Sequence, residues 1–505
     1  MTELATDALR GFVKGEVFDD EWTRKINSVD ASHYLLCPSI VLHPFDESDL
    51  QAISRYCHSR RLPITARGAG TGLLGQSLTN GVVVDFTKHM NKILEIEDEY
   101  AIVQPGVVKG VLDKELRKRG KFLPPDPASS NYCTLGGMIA NNSSGPHGLA
   151  YGSIINFLKA VNVVHSNGTI DTFDESDHGS KYATQLIGLV SDNINLIQNG
   201  YPLVSKNSCG YRLDAVIGAN HYSPQKVFAA SEGTLGLVAS ASIRVLDIPA
   251  HRSLLILAFE DPIAAAASVP TLLKFHPVAV ELLDTSLYSR ESNEVSRSHG
   301  GSSYTECIVF VEFAADSVKE VESKLSTCKA KIASSCTSVE TASDQVSIDR
   351  AWAARKGQLN NIMKLTVGSR RPVGLIEDTV VNTNFLPEYV QFLLNLYHEN
   401  NLNYVIYGHL GNGNLHTRPL MDLESPSELE LLKSLADRVF SKVIQQRGTI
   451  SGEHGDGLAR IDFIPKVYGG PIFSLFKKVK KLFDPTYLLN PGKKIPLSAS
   501  INNEM

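Results

Sequence analysis

The segment ITARGAGTGLLGQ, residues 64–76, decides the fold, because it places a cluster of glycines directly after a short strand. Residues 70–75 satisfy the pattern G-x-G-x-x-G, which in a Rossmann dinucleotide site opens a helix onto the pyrophosphate. Only QSLTNG separates these glycines from the next strand, VVVD at 82–85. Since a crossover connection needs about ten residues or more, the sequence argues against a Rossmann site. A backbone nest for a phosphate, or simply a tight turn, fits better.

A second glycine-rich segment lies farther along the chain, in PPDPASSNYCTLGGMIANNSSGPHGLAYGS at 124–153. Thirty residues rich in Pro, Gly, Ser and Asn predict a long loop, and structureless loops of that length inside a domain are usually functional. Two glycine-rich loops in one domain favour a large cofactor that carries a diphosphate over two unrelated turns.

The order of elements predicts an α+β protein, in which short β-branched strands alternate with helices. Asp46, for example, is placed to cap a helix that starts DESDLQAISRYCHSR. The composition shifts near residue 250. We therefore expect four parts: a helical lead-in at 1–32, a first domain at 33–249, a second α+β domain at 250–495 and a disordered tail at 496–505.

Composition excludes several classes of function. The net charge of -5 gives no electrostatic footprint for nucleic acid. The N-terminus has no apolar core of a signal peptide, and no apolar run approaches the roughly 18 residues of a membrane span. Seven scattered cysteines without a C-x-x-C pair argue against a disulfide framework or an iron–sulfur cluster. These features predict a cytoplasmic protein, with peripheral attachment to the inner membrane as an alternative.

A metal site is predicted in the second half, from YGHLGNGNLHTRPL at 407–420 and SGEHGDGLAR at 451–460. Asn412-Gly413 is typical of a two-residue hairpin turn, which would pair His409 directly with His416. Two imidazoles about 4.5–5.5 Å apart at Cβ suit one metal ion, with Glu453 as a third ligand. We expect one divalent ion, zinc in the first place, with manganese or iron as alternatives. The adjacent His454 is then a candidate general base.

The glycine-rich loops, together with SEGTLGLV at 231–238, resemble the FAD-binding half of the vanillyl-alcohol-oxidase-type flavoproteins. The resemblance implies a two-subdomain FAD-binding domain of the PCMH type over 33–249, followed by a substrate or cap domain and a C-terminal helical segment that returns to the flavin. No His stands between Arg67 and Gln76, so FAD is expected to be non-covalent. The residues expected at FAD are Arg67, Gly68, Ala69, Gly70, Thr71, Gly72, Gly75, Pro125, Gly136, Gly137, Asn141, Ser143, Gly145, Glu232 and Asn490.

The two histidine motifs, with AWAARKG and RRPVGLIEDTVV, resemble the D-lactate and D-2-hydroxyglutarate dehydrogenases and the corresponding flavoprotein of glycolate oxidase. That family implies the same metal ligands, substrate contacts at Arg355 and Asn414, and His454 as the base. The D-2-hydroxyglutarate enzymes add a Lys for the distal carboxylate. Ile376 occupies that place here, and Arg371 or Arg418 could substitute for the Lys.

The implied reaction is oxidation of a small D-2-hydroxy acid (lactate, 2-hydroxyglutarate or glycolate) to the 2-oxo acid, with FAD as the hydride acceptor. The electron acceptor stays open between an electron-transfer flavoprotein, a quinone, a cytochrome and an iron–sulfur protein. The long bacterial relatives carry a fused iron–sulfur domain whose cysteines this chain lacks. A homodimer is one assembly that the sequence allows. The alternatives are an O₂-using oxidase and a flavin-binding subunit of a larger redox complex.

Overall fold

The structure, a computed structural model, describes residues 2–175, 179–218, 221–284, 307–362 and 364–497. The residues described in the first half form eleven strands: β1 Glu16–Phe18, β2 Ile40–His43, β3 Ile64–Arg67, β4 Val82–Asp85, β5 Ile93–Ile96, β6 Tyr100–Val103, β7 Lys121–Phe122, β8 Leu158–Val164, β9 Ile170–Asp174, β10 Leu237–Arg244 and β11 Leu246–Asp247. The helices described there are α1 Thr2–Arg10, α2 Glu21–Ile26, α3 Glu47–Arg60, α4 Lys109–Arg117, α5 Leu135–Asn141, α6 Gly148–Tyr151, α7 Lys181–Ser191, α8 Ile194–Gly200 and α9 Leu213–Val216.

The second half adds eight described strands: β12 His251–Phe259, β13 Ala279–Asp284, β14 Cys307–Ala315, β15 Ser338–Ala342, β16 Arg371–Pro372, β17 Thr379–Val380, β18 Tyr404–His409 and β19 Asn414–Met421. Its described helices are α10 Pro262–Leu272, α11 Val318–Ile332, α12 Gln345–Ile362, α13 Leu386–Glu399, α14 Pro426–Gln445 and α15 Ile464–Phe483. None of these helices, in either half, is both long and apolar enough to cross a bilayer.

Beside a two-stranded sheet of β7 and β11, two larger sheets build the described part of the first half. The smaller has the order β1-β2-β4-β3, in which β4 runs parallel to both β2 and β3. The larger is antiparallel, with the order β5-β6-β10-β8-β9. The predicted helix cap is confirmed, since the Asp46 side chain accepts a hydrogen bond from the Asp49 N–H at the start of α3.

One antiparallel sheet organises the second half, in the order β15-β12-β14-β13-β18-β19-β16, with β17 also paired to β19. Strand β13 reads AVELLD and is buried along its whole length, yet it contains Glu281. Strand β19 is likewise buried throughout and carries Asn414, His416 and Arg418. Polar side chains on buried strands need partners, and these strands therefore mark the functional face of the sheet.

The C-terminal segment returns to the first sheet, beside the strand that leads into the first glycine-rich loop. The N–H of Ile64 donates to the carbonyl of Leu488 at 2.8 Å, and the N–H of Asn490 donates to the carbonyl of Ile64 at 2.7 Å. The helix that precedes it, α15, packs on α7 and α8. Residues from both halves consequently share one hydrophobic core. Most of the predicted tail, from residue 498 onward, lies outside the described residues.

Two expectations about the first half were wrong. The lead-in is not a separate helical segment, because β1 pairs with β2 and Leu9, Val13 and Val17 lie in the core of the first sheet. The segment 124–153 is not structureless, because it contains α5 and α6. In α5 the Thr134 side chain caps the helix by accepting a hydrogen bond from the Gly137 N–H. This cap was a local signal for a helix, but the high glycine content of the segment favoured the prediction of a loop.

Candidate functional site

A single cavity of about 360 Å³ joins the glycine-rich loops of the first half to the histidine motifs of the second. That volume lies within the range of roughly 300–1,000 Å³ typical of cofactor and ligand sites. The two glycine-rich loops line one end. Tyr407, His409, His416, Glu453 and His454 line the other. The motifs singled out in the sequence therefore meet in one site.

The two glycine-rich loops lie against each other. A Cβ added at Gly68 would lie 2.1 Å from Oγ1 of Thr134, which caps α5 in the second loop. Only a residue without a side chain allows this approach. The contact brings the backbones of both loops to the same stretch of cavity wall, as an elongated diphosphate-bearing cofactor requires.

Most residues expected at FAD line this cavity: Arg67, Gly68, Ala69, Gly70, Thr71, Gly72, Gly136, Gly137, Asn141, Ser143, Gly145 and Glu232. Three do not. Gly75 packs toward Leu458 and Tyr34, and Pro125 is buried beside the loop. The Asn490 side chain lies behind the wall, where its amide donates to the carbonyls of Gln76 and Glu232. Asn490 thus braces the loops from behind.

The hairpin that carries the two histidines differs from the prediction. His409 pairs with Asn414, and His416 pairs with Tyr407. A two-residue turn of the predicted type needs positive φ at both central residues, but of the pair only Gly413 has it, with φ 68°. Asn412 instead belongs to a short 3₁₀ turn, so the loop has four residues, 410–413. His409 and His416 are diagonal neighbours, with ring centroids 5.2 Å apart.

The diagonal arrangement still directs both histidines to one carboxylate. Nε2 of His409 lies 2.7 Å from Oε1 of Glu453, and Nε2 of His416 lies 3.5 Å from the same atom. His454 stacks on His416 with ring centroids 4.8 Å apart. Its Nε2 is 3.9 Å from Oε1 of Glu453. Three imidazoles and one carboxylate therefore surround a single point at the cavity wall.

Two buried glutamates that the sequence interpretation missed orient these imidazoles. Glu281 on β13 lies 2.7 Å from Nδ1 of His409. Glu377 lies 2.8 Å from Nδ1 of His416 and 2.7 Å from Nδ1 of His454. Each carboxylate accepts the Nδ1–H, which leaves Nε2 directed into the site. This carboxylate–histidine pairing is the usual support of histidine metal ligands. The sequence carried a signal for Glu281, which is an acidic residue in the middle of the apolar run AVELL.

The electrostatics of the cluster are those of tightly paired groups. Burial alone would raise the pKa of the Glu453 carboxyl, but His409 and Lys206 hold it well below its ordinary value. Burial alone would lower the pKa of His416, but hydrogen bonds to Glu377 and Glu453 raise it. Lys206 is itself fully buried, with Nζ 3.0 Å from Oε2 of Glu453. Buried ionisable groups that pair with one another and have shifted pKa values are typical of functional sites.

The residues fit a divalent cation in two overlapping sets. Ligand atoms of Asp378, His416, Glu453 and His454 lie within 4.8 Å of one another. Asp378, however, already accepts hydrogen bonds from the N–H groups of Glu453 and His454. Nε2 of His409, by contrast, is directed at Glu453 and is not engaged by backbone N–H groups. The predicted set of His409, His416 and Glu453 is therefore the better match, as a His₂Glu site that leaves positions open.

The two predicted substrate residues lie at different depths. Arg355 on α12 is 7% exposed and lines the cavity, where it forms an ion pair with Glu281 and its Nε has no hydrogen-bond partner among the described residues. Asn414 is fully buried behind the cluster, and its amide donates to Asp378 and to the carbonyl of Thr379. Arg418, two residues beyond His416, also lines the cavity.

Comparison with known proteins identifies two domains. Residues 38–174 match the family described as FAD binding domain, and residues 248–494 match FAD linked oxidases, C-terminal domain. The chain is 30% identical to glycolate oxidase subunit GlcD of Bacillus subtilis, over 95% of this chain and 94% of that protein. It is 28% identical to D-2-hydroxyglutarate dehydrogenase of Haemophilus influenzae over 95% of this chain. It spans only 50% of the length of that relative.

Among solved structures, 4-ethylphenol oxidase from Gulosibacter chungangensis is similar with a TM-score of 0.72. The match covers 99% of this chain and 98% of that one, at 15% identity. At that identity the likeness concerns the fold, and it confirms the predicted α+β architecture with its two-subdomain FAD-binding half.

Proposed function

Because this chain belongs to the FAD-linked oxidase family that includes glycolate oxidase subunit GlcD, we propose that it oxidises a D-2-hydroxy acid to the 2-oxo acid. One observation carries the proposal. A histidine–glutamate cluster that suits a divalent cation lines the same cavity as the two glycine-rich loops. A hydroxy acid bound at the cluster would face the cofactor that the loops hold.

The proposal implies two bound groups, and the chain offers residues that fit each of them. Residues 67–72 and 136–145 would hold FAD, and His409, His416 and Glu453 would hold the cation. When bound, FAD supplies the hydride acceptor and the cation supplies a Lewis acid for the hydroxyl and carboxylate oxygens.

The chain's own residues bind the acid and move the proton. Arg355 presents a planar guanidinium to a substrate carboxylate, which it can hold with two parallel hydrogen bonds. Glu377 accepts the Nδ1–H of His454 at 2.7 Å, so Nε2 is the nitrogen free to take the hydroxyl proton.

Anaerobic mixing of the purified holoprotein with a panel of D- and L-2-hydroxy acids tests the proposal. We expect the flavin absorbance to bleach with one or more D-acids and not with their L-enantiomers. An oxidised flavin after exposure to every acid would contradict it. Steady peroxide formation without an added acceptor would instead identify an oxidase.

FAD is expected to be released on denaturation, because no histidine lies between Arg67 and Gln76 to form a covalent bond in that loop. Precipitation of the protein with acid should leave yellow flavin in the supernatant. A yellow pellet with a colourless supernatant would show a covalent bond at another residue.

Replacing Arg355 by lysine is expected to preserve FAD binding and to lower kcat/KM by about tenfold to hundredfold. A lysine keeps the charge but loses the two-point fork, and hydrogen bonds to a charged group contribute about 1.5–3 kcal/mol. The matched control is Arg350→Lys, on the same helix but exposed. Equal kinetics for both variants and the unmodified protein would show that another residue holds the carboxylate.

A further inference from the structure

Trp352 lies one helical turn before Arg355 on α12, where strand β14 fixes its indole. The Nε1–H of Trp352 donates to Oε2 of Glu312 at 2.6 Å. The indole also stacks on Phe310, with ring centroids 6.0 Å apart. Phe310 and Glu312 are two residues apart on the strand, so they share one face. Because the indole is held both at its N–H and at its ring, it has little freedom to turn.

The position of Trp352 bears directly on Arg355. The guanidinium carbon of Arg355 lies 5.8 Å from the centroid of the indole ring, within the range of a cation–π contact. The same guanidinium pairs with Glu281 on β13, and Glu281 is the register partner of Phe310 on β14. Three helical residues advance the chain by about 4.5 Å, close to the spacing of about 4.8 Å between neighbouring strands. Helix α12 thus places Trp352 beside β14 and Arg355 beside β13.

The second glycine-rich loop contacts the same indole through His147. The rings of His147 and Trp352 have centroids 5.5 Å apart, and Nε2 of His147 lies 3.4 Å from the Glu312 oxygen that accepts the indole N–H. Nδ1 of His147 is 2.6 Å from Oδ2 of Asp126, near the start of the loop. Residues 143–146, which line the cavity, directly precede His147. The indole therefore contacts a residue that joins two parts of the loop expected at FAD.

The charges around the indole stabilise this arrangement. Burial alone would lower the pKa of His147, but Asp126 and Glu312 raise it to about 10, so the imidazole is a cation at neutral pH. Burial alone would raise the pKa of the Glu312 carboxyl, but His147 and Arg252 lower it to about 2. Arg252 donates two hydrogen bonds to Glu312, at 2.7 and 3.1 Å. The two cations balance the two carboxylates, so Glu312 stays an ionised acceptor for the indole N–H.

We infer that Trp352 is a positioning residue for the reaction, because its indole sets the place of the Arg355 guanidinium relative to the second glycine-rich loop. The inference rests on the proposed function, in which Arg355 holds the substrate carboxylate. Nε of Arg355 has no hydrogen-bond partner within the described part of the chain, so the pair with Glu281 fixes the guanidinium only in part. Contact with the fixed indole supplies a further constraint. A carboxylate held by two parallel hydrogen bonds requires a guanidinium plane of defined orientation.

Trp352→Leu removes the aromatic face and keeps an apolar side chain against Phe310. We expect FAD to be retained, and the Kd of the D-acid that reduces the flavin to rise by about threefold to thirtyfold. The limiting rate of flavin reduction should change by less than about threefold, because Arg355 holds the carboxylate equally before and during hydride transfer. Trp352→Phe, which keeps a ring but loses the donor to Glu312, should fall between. Trp22→Leu, at the exposed second tryptophan, is the matched control.

A double variant separates positioning from a merely structural role. If Trp352 acts through Arg355, then Arg355→Lys already loses what the indole provides. Adding Trp352→Leu to Arg355→Lys should then raise the substrate Kd by no more than about twofold, whereas independent losses would multiply. Multiplied losses, an unchanged Kd in Trp352→Leu, or a loss of FAD that accounts for the weaker substrate binding would overturn the inference.

Fluorescence gives a second measurement that needs neither turnover nor a folded Trp352 variant. The sequence contains two tryptophans, so Trp22→Leu leaves Trp352 as the only indole. Pyruvate, a 2-oxo acid with no hydrogen at C2 to transfer, should change the Trp352 emission of this holoprotein, and Arg355→Lys should largely abolish the change. An emission that pyruvate leaves unchanged, or that changes equally in Arg355→Lys, would overturn the inference. If no D-acid reduces the flavin, the proposed function fails, and the pyruvate titration still decides the role of Trp352.

Discussion

His454→Gln is expected to reduce its flavin at least about a hundredfold more slowly than the unmodified protein, within the range of ~10²–10⁴ that a lost general base costs. A glutamine amide cannot take up a proton at neutral pH. In the structure the imidazole is held on two sides, because its Nδ1 lies 2.7 Å from Glu377 and its ring stacks on His416, and the backbone N–H of His454 donates to Asp378. Nε2 is therefore presented to the cavity in one orientation.

Stopped-flow mixing without oxygen measures this effect directly. The limiting rate of flavin reduction should fall, while the substrate Kd, the FAD content and the metal content stay close to those of the unmodified protein. His454→Asn is a useful companion, because its amide can still donate a hydrogen bond toward Glu377. His398→Gln, an exposed histidine on α13, is the matched control. Metal loss in His454→Gln would make this residue a ligand, and fast flavin reduction would place the base elsewhere.

His409→Ala and His416→Ala are each expected to lose the divalent ion, retain FAD and reduce flavin at least about a hundredfold more slowly. Lewis-acid assistance contributes several kcal/mol to reactions of this kind, and about 1.4 kcal/mol corresponds to tenfold in rate. Both Nε2 atoms point at one oxygen of Glu453, so the loss of either imidazole removes one of the three proposed ligands. Elemental analysis and flavin absorbance of the same sample measure both groups.

The metal prediction has an internal control. A chelator should remove the ion and the activity from the unmodified protein, and added zinc, manganese or iron should restore both. The same addition should not rescue His409→Ala. His409→Gln can still donate toward Glu281, which would otherwise keep only its ion pair with Arg355. Full metal content in both alanine variants would show that Asp378 and His454 complete a different site around Glu453.

The features that the sequence predicted correctly depend on neighbours along the chain. Asp46 caps α3 because its side chain reaches an N–H three residues away. A helix cap is a local property, so one sequence is enough to identify it. The two glycine-rich loops and the two histidine motifs are also short-range patterns. The sequence therefore identified each of them, but only as separate segments.

The errors arose where a local signal competes with packing. Asn412-Gly413 predicted a two-residue turn, but the chain forms a 3₁₀ turn there and shifts the strand register by two residues. A shift of two preserves the face on which each side chain lies, because the strand period is two. His409 and His416 therefore still converge on Glu453, although the prediction of the turn was wrong, and the ligand set stays a prediction.

By itself the sequence determined the fold class, the two cofactor loops and the candidate ligands, since short-range patterns encode all three. Only the tertiary structure decided which distant groups surround them. Glu281 lies 128 residues before His409, and Lys206 lies 247 residues before Glu453. The strand order β13-β18-β19 and the packing of α12 bring these charges together. Burial then makes each pairing obligatory, because an unpartnered charge inside the protein costs far more than one in water.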